Sequence, residues 1–369
     1  MLTVLFVILL IIVAARLYLY FVEAAYGPKT TEDEVHYVTA SDGWRIALHR
    51  YRPRGENPHG EPVLLHHGLA ASYKNFDLGV GTKEHPSPSL AHWLADRGYD
   101  VFVCDLRGRG LSDHAGLFTG KRWDWTVDDF IYKDDPAFVD YILERTGFAN
   151  MHWIGLSMGG ILLFCYCALH GSPKLASGVA AGSGLRYADT GSDYQPIIGL
   201  SWLGPIMRRV PIGTLSKLQA PLAGRWNLKS ERFDYYPPNT APQAGRAIMS
   251  GSLEDVSGNQ VLQMSTLFKG RGLASWDGTV YFAEEAKNIT TPTLLVCGVQ
   301  DLQSSVDLSH KTRELFGEGD HKVAPFGKDF GHKEDYGHID LVAGINAESE
   351  TFPEMLAWLQ THPAHRNEE

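Results

Sequence analysis

The stretch HWIGLSMGGILLF, His152 to Phe164, decides the fold. Its first half is a short apolar run of the kind that makes a strand buried on both faces. Its second half has the composition of a buried helix, and Ser157 stands at the joint between Gly155 and Gly159. A strand that passes directly into a helix turns too tightly for side chains on either side of the bend, which accounts for both glycines. The same turn pushes the serine hydroxyl out at the carboxyl end of the sheet. Behind it, the helix N-terminus offers unpaired backbone N–H groups and the positive end of the helix dipole, suited to a developing oxyanion. A lone Gly-x-Ser-x-Gly is weak evidence, and a glycine-lined packing site is its bland reading. The strand before it and the helix after it give it weight.

Working outward, apolar runs at 44–51, 62–68, 99–106, 150–157, 177–183, 292–299 and 321–327 alternate with helix-like segments such as SLAHWLADRG and TFPEMLAWLQTH. This alternation predicts an α/β protein with a mostly parallel sheet flanked by helices. The pattern breaks between about Gly184 and Asn288, where Gly, Pro, Trp and Tyr are frequent and helical patches such as SLEDVSGNQVLQMSTLF are weak. Roughly 100 residues are too many for a plain connection in a compact domain. They predict an inserted cap over 184–290, between core segments 34–183 and 291–369. Its aromatics Trp202, Trp226, Tyr235, Tyr236 and Trp276 are the candidates for an apolar substrate pocket; packing the cap's own small core is the alternative.

Residues 2–22 are almost wholly apolar, interrupted by Arg16. About 20 such residues can cross a hydrocarbon core. No basic segment precedes the run, and Ala14-Ala15 leads into Arg16 and more apolar sequence, which favours a retained membrane anchor over a cleaved signal. Arg16, Tyr18 and Tyr20 lie where they can reach the interface. Residues 23–33 read as a polar linker. The basic residues after the span and four unpaired cysteines lean toward a cytoplasmic domain. Those cysteines, Cys104, Cys165, Cys167 and Cys297, sit in apolar runs and read as buried free thiols. A net charge of −10 offers no basic stripe for a nucleic-acid partner.

A serine nucleophile needs a base held by an acid, in the order Ser, then Asp or Glu, then His. Asp301, in the loop GVQDLQSS after the run at 292–299, fits the acid; Asp307 and Asp329 are the alternatives. His338, in DYGHIDLVAG before the last helix, fits the base, and His332 competes with it. The backbone N–H of Leu69, in His66-His67-Gly68-Leu69, and that of Met158 are the expected oxyanion donors. A metal reading of His66 and His67 is open, but adjacent strand side chains point to opposite faces. Asp105-Leu-Arg-Gly-Arg-Gly-Leu-Ser112 looks phosphate-like, yet no strand–GxGxxG–helix arrangement or Walker lysine accompanies it, so a glycine turn with a structural arginine is expected. Asn288-Ile-Thr290 matches a glycosylation triplet, informative only in a secreted chain.

In this order, HHGLAAS, DLRGRGLSD, GLSMGG, the Asp301 loop and the His338 loop resemble the α/β-hydrolase fold superfamily of serine esterases and lipases. YKDDPAFVDYILERTG before the serine, Asn75-Phe76 after HGLAAS, and YGHIDLVAG are similar to the acid-lipase (gastric and lysosomal) branch. That branch usually carries His and Gln beside the serine, where this chain has Leu156 and Met158. The resemblance implies Ser157 as nucleophile, His338 as base, Asp301 as orienting acid, and Leu69 and Met158 as backbone donors. It implies a carboxylic-ester hydrolase that needs no cofactor and acts on a hydrophobic acyl ester or lipid. A serine-dependent acyltransferase or a polyhydroxyalkanoate-type depolymerase are the alternatives on the same fold.

Overall fold

Alternate residues of the central strands feed two different cores, one on each face of a single sheet. On one face Leu64, Phe102 and Trp153 pack with Phe138, Ile142, Leu162 and Phe164; on the other Leu65, Val103 and Ile154 pack with Leu94, Met355 and Leu359. This is the period-two geometry of strands covered on both sides. The computed structural model describes residues 2–56, 58–79, 88–116, 118–171, 173–188, 190, 192, 206–226 and 228–367.

The sheet has eight strands in the order β1-β2-β4-β3-β5-β6-β9-β10. They are β1 (Glu34–Thr39), β2 (Arg45–Tyr51), β3 (Pro62–His66), β4 (Asp100–Asp105), β5 (Met151–Leu156), β6 (Leu175–Ala181), β9 (Thr293–Gly298) and β10 (His321–Phe326). A separate two-stranded ribbon pairs β7 (Arg209–Val210) with β8 (Val256–Ser257). β1 and β2 run antiparallel to their neighbours and the remaining pairings are parallel. The inner strands β3, β4, β5 and β9 are buried at every position, whereas the edges β1 and β10 alternate between covered and open residues.

Among the helices are α1 (Leu2–Tyr26), α2 (Asp135–Thr146), α3 (Met158–His170), α4 (Val306–Arg313) and α5 (Thr351–Thr361). Two elements differ from expectation. β1 was not foreseen, because EVHYVT mixes charge with β-branched residues at an open edge, where no clean alternation is required. α1 runs four residues past the expected end of the span, through Glu23-Ala-Ala-Tyr26, because helix-favouring residues continue the hydrogen-bonded ladder. All four cysteines are free and buried.

Between β6 and β9 the described residues form short helices and turns, among them Ile212–Gln219, Lys229–Asp234, Pro242–Ala247 and Gly258–Met264. This insert is tied to the core by buried polar contacts. The Arg109 guanidinium donates to the carbonyl of Asp255 and to Gln260 Oε1, and the Gly110 N–H donates to Glu254 Oε1 at 2.9 Å. Arg107 is instead held inside the core, on Asp134 at 2.6 Å and Asp42 at 2.7 Å. The arginine-glycine turn is thus structural.

Candidate active site

Ser157 bridges β5 and α3 with φ 56° and ψ −119°. That left-handed backbone costs a non-glycine residue on the order of 1–3 kcal/mol and persists only where packing enforces it. The packing here is extreme. A Cβ on Gly155 would collide with the backbone of Gly159, and one on Gly159 would collide with the carbonyl of His66. Strand and helix therefore approach to backbone contact on both sides of the serine. A side chain at Gly68 would come within 2.9 Å of Ser157 Cβ, so the loop after β3 also needs glycine to reach the hydroxyl.

The His338 loop arrives from the other side. His338 Nδ1 donates to Asp301 Oδ2 at 2.7 Å, and both groups are buried. Asp301 follows β9, and its other oxygen accepts the N–H groups of Gln303 at 2.8 Å and Ser304 at 2.9 Å. Gly182 lies under the pair with φ +60°; a Cβ there would sit 2.9 Å from the imidazole. Burial opposes a charge on His338, but Asp301, with smaller help from Asp234 and Asp340, raises its pKa above the ordinary histidine value. His338 Nε2 is buried and has no hydrogen-bond partner among the described residues. The competitors lie elsewhere. His332 bonds the backbone of Gly327 and stacks on Phe326, Asp307 pairs with Lys311 at 2.8 Å, and Asp329 is exposed.

His66 and His67 point to opposite faces. His66 stacks on Trp153, and its two ring nitrogens contact Asp135 Oδ1 at 3.1 Å and the His67 carbonyl at 3.0 Å. Burial opposes a charge on this ring, but the neighbouring Cys104 and Asp135 raise its pKa well above the ordinary histidine value. His67 donates from Nδ1 to the Gly68 carbonyl at 2.9 Å and accepts the Leu106 N–H at Nε2. Burial and the neighbouring His66 charge push its pKa down to about 3, so it is neutral. These rings brace the loop that carries Leu69. Among the described residues, the backbone N–H groups of Leu69 and Met158 have no hydrogen-bond partner, and no group of three or more His, Cys, Asp or Glu is disposed to hold a metal.

Ser157, Leu69 and His338 line one cavity of about 640 Å³. Its far walls come from the insert: Met207, Ile212, Leu215, Met249, Leu253, Val261, Met264, Leu267 and Phe268. Of the aromatics expected there, Trp226, Tyr235, Tyr236 and Trp276 are not among the lining residues. Trp226 is 70% exposed and Trp276 46% exposed, with its backbone N–H on Asp128. Tyr235 is buried with its hydroxyl end against Gly245, and Tyr236 faces a separate depression with Arg232, Pro237 and Pro238. Trp202 lies outside the described residues. Flexible aliphatic and thioether side chains supply most of this chamber's apolar wall, joined by Tyr187, Phe233 and Phe268. The 3.6-residue spacing of Val261, Met264, Leu267 and Phe268 in VLQMSTLF was the available signal. Asp234 and Gln303, which had no sequence signature, also line the cavity, as does Asn75 of the Asn75-Phe76 pair.

A family model described as the alpha/beta hydrolase fold matches residues 61–342. The chain belongs to the α/β-hydrolase fold family. A second model, a partial α/β-hydrolase lipase region, matches residues 31–79. Among curated relatives, Lipase 1 of Drosophila melanogaster is 38% identical over 141 residues, which is 37% of this chain and 30% of that protein. Gastric triacylglycerol lipase of Bos taurus is 32% identical over 151 residues, 39% of this chain and 36% of that protein. The match thus spans about a third of these relatives' length. Among solved structures, a soluble variant of monoglyceride lipase from Saccharomyces cerevisiae has a TM-score of 0.63 at 18% identity, covering 92% of this chain and 98% of that one. A membrane phospholipase A described as a bacterial virulence factor has a TM-score of 0.55 at 19% identity, covering 98% and 99%. At these identities the likeness is one of fold. Within the α/β-hydrolase family, β1 and β2 fall in the lipase-region match and Ser157, Asp301 and His338 in the fold match.

Proposed function

We propose that this protein is a serine carboxylic-ester hydrolase of the lipase and esterase type, acting on hydrophobic acyl esters. The observation that carries the reading is His338: Nδ1 is engaged by Asp301 while Nε2 is unpartnered, in the cavity that Ser157 also lines. In the proposed mechanism Ser157 Oγ attacks the ester carbonyl carbon as His338 Nε2 takes its proton. The carbonyl oxygen becomes an oxyanion between the N–H groups of Leu69 and Met158. Collapse of the tetrahedral intermediate breaks the carbon–oxygen bond of the ester, and His338 passes its proton to the departing alcohol. Water then repeats the sequence on the acyl-enzyme, releasing the acid and regenerating Ser157.

The insert acts as a cap whose apolar chamber holds the acyl chain, and α1 holds the enzyme at a membrane. The lipase names among its relatives support the substrate class, and a helix of mean hydropathy 2.6 whose span is 0% buried supports the anchor. Labelling with a fluorophosphonate probe tests the nucleophile. The wild type should label at Ser157 and hydrolyse a long-chain ester, and Ser157→Ala should do neither, with turnover reduced by on the order of 10⁶. A tenth of wild-type activity in that variant would overturn the assignment. Adding an alcohol to the assay separates hydrolysis from acyl transfer.

A further inference from the structure

Asp234 and Asn75 are two polar side chains of the chamber that have no job in the mechanism above. The Asp234 carboxyl lines the cavity and has no hydrogen-bond partner among the described residues. Its backbone carbonyl accepts the N–H of Ile339 at 2.9 Å, which fixes Asp234 beside His338. Asn75 also lines the cavity, is only 2% exposed, and has an unpartnered Oδ1. The turn that carries it (Tyr73–Phe76) packs against the helix Asp340–Ala343, directly after Ile339. Asp234 is thus tied directly to Ile339, and the turn of Asn75 packs on the helix that follows it. Of the other polar groups of the cavity, Gln303 Nε2 donates to the carbonyl of Phe233 at 2.8 Å and Ser230 donates to Gln219 at 3.0 Å, whereas the Ser216 hydroxyl, on the insert, has no partner among the described residues.

We propose that Asp234 and Asn75 form a hydroxyl-recognising subsite beside His338, which takes the free hydroxyls of a partly acylated polyol ester. This rests on the acyl-transfer reading of Ser157 and His338 and adds the alcohol half of the substrate to it. His338 returns its proton to the departing alcohol, so whatever flanks His338 Nε2 contacts the alcohol side of the ester. The partly buried Asp234 carboxyl and the buried Asn75 Oδ1 have no partner among the described residues, and a ligand in the cavity can supply the missing bonds. A hydroxyl suits both, since it donates and accepts, and burial raises the Asp234 pKa to about 7, where the acid can do either. A cationic headgroup fits worse, because it would sit beside an imidazole that must itself become positive. A triester has no hydroxyl to offer. The acceptor pair thus favours a mono- or diacyl polyol over a fully esterified one or a simple alkyl ester.

The test compares 1-monooleoylglycerol with ethyl oleate, which share one acyl chain, in the same detergent micelles. Asp234→Leu should lower kcat/KM for monooleoylglycerol roughly tenfold more than for ethyl oleate, since an unmet hydroxyl recognised by a buried polar group carries that selectivity. Asp234→Asn, which keeps one acceptor, should fall between. If the ratio of the two substrates stays within about twofold of wild type in Asp234→Leu, the subsite is overturned. Fluorophosphonate labelling of each variant keeps the two ideas apart: a wild type that fails to label defeats the acyl-transfer reading, whereas normal labelling with an unmoved ratio defeats only the subsite. A measurement on the wild type guards against misfolding of the variants. The non-hydrolysable 1-O-hexadecylglycerol should inhibit roughly tenfold better than its O-methylated dimethyl ether, and equal inhibition would overturn the proposal.

Discussion

At the scale of single residues, the demands on Ser157 and His338 are opposite in kind. Ser157 is held by steric exclusion: glycines at 68, 155 and 159 let three backbones crowd it into a conformation that serine avoids. His338 is held by charge: Asp301 keeps a buried ring basic where burial alone would lower its pKa. A general base must be neutral to accept a proton, so a raised pKa moves the acid limb of kcat/KM upward in pH, above the ordinary histidine value near 6.5. Asp301→Asn removes the countercharge and leaves burial unopposed. We expect kcat/KM to fall by on the order of 10⁴ and the limb of the residual activity to shift to lower pH. A pH–rate profile checks both, and an unshifted limb would show that another acid sets the base. These three residues were legible because chain order and local turn chemistry constrain them. Asp234 was not, because a lone carboxyl acquires meaning only from the cavity it faces, and Asn75 was marked by the resemblance without a role attached to it.

At the scale of elements, the buried strands could be read directly because both faces demand apolar residues, so every position of β3, β4, β5 and β9 carries the signal. The insert could be located only by the absence of that signal. Its own rule is irregular, since short helices bury one side against the core and line a chamber with the other. Weighting ring size in the insert therefore pointed to Trp226 and Trp276, which face outward, and passed over Val261 and Met264, which face the chamber. This difference makes an element-scale prediction. Val261→Phe should fill part of the chamber and shift preference toward short acyl chains, lowering kcat/KM on a C16 ester by roughly tenfold or more while a C4 ester loses much less. Trp226→Ala and Trp276→Ala should leave chain-length preference where it was. A panel of esters from C2 to C16 checks both, and the opposite pattern would return the acyl site to the aromatics.

At the scale of the whole molecule, α1 divides into an exposed stretch and a packed end. Its first two-thirds are exposed along their length, but its last turns pack on the outside of the wall whose inner side lines the cavity. Val22 is buried with Ala220, Ala223 and Met249, and Met249 also faces the chamber. Glu23 bridges Lys217 of the insert at 2.6 Å and Lys74 of the core at 3.7 Å, and the Tyr18 hydroxyl donates to the Leu218 carbonyl at 3.3 Å. The exposed Leu215 and Leu218 of the helix Ile212–Gln219 lie beside this junction, so the proposed anchor ends where the chamber wall begins. Membrane attachment and wall integrity should therefore separate by length of truncation. Deleting residues 2–14 removes most of the apolar span and keeps the packed turns, so the protein should leave the membrane fraction with its thermal midpoint intact. Deleting residues 2–26 should release it too, but also uncover Val22's site and unpair Lys217, at a cost of about 1–3 kcal/mol and several degrees in Tm. Flotation with vesicles and thermal unfolding of both truncations decide the matter. A shorter truncation that still floats would remove the anchor from α1, and equal midpoints would mean that its last turns bear no weight in the wall.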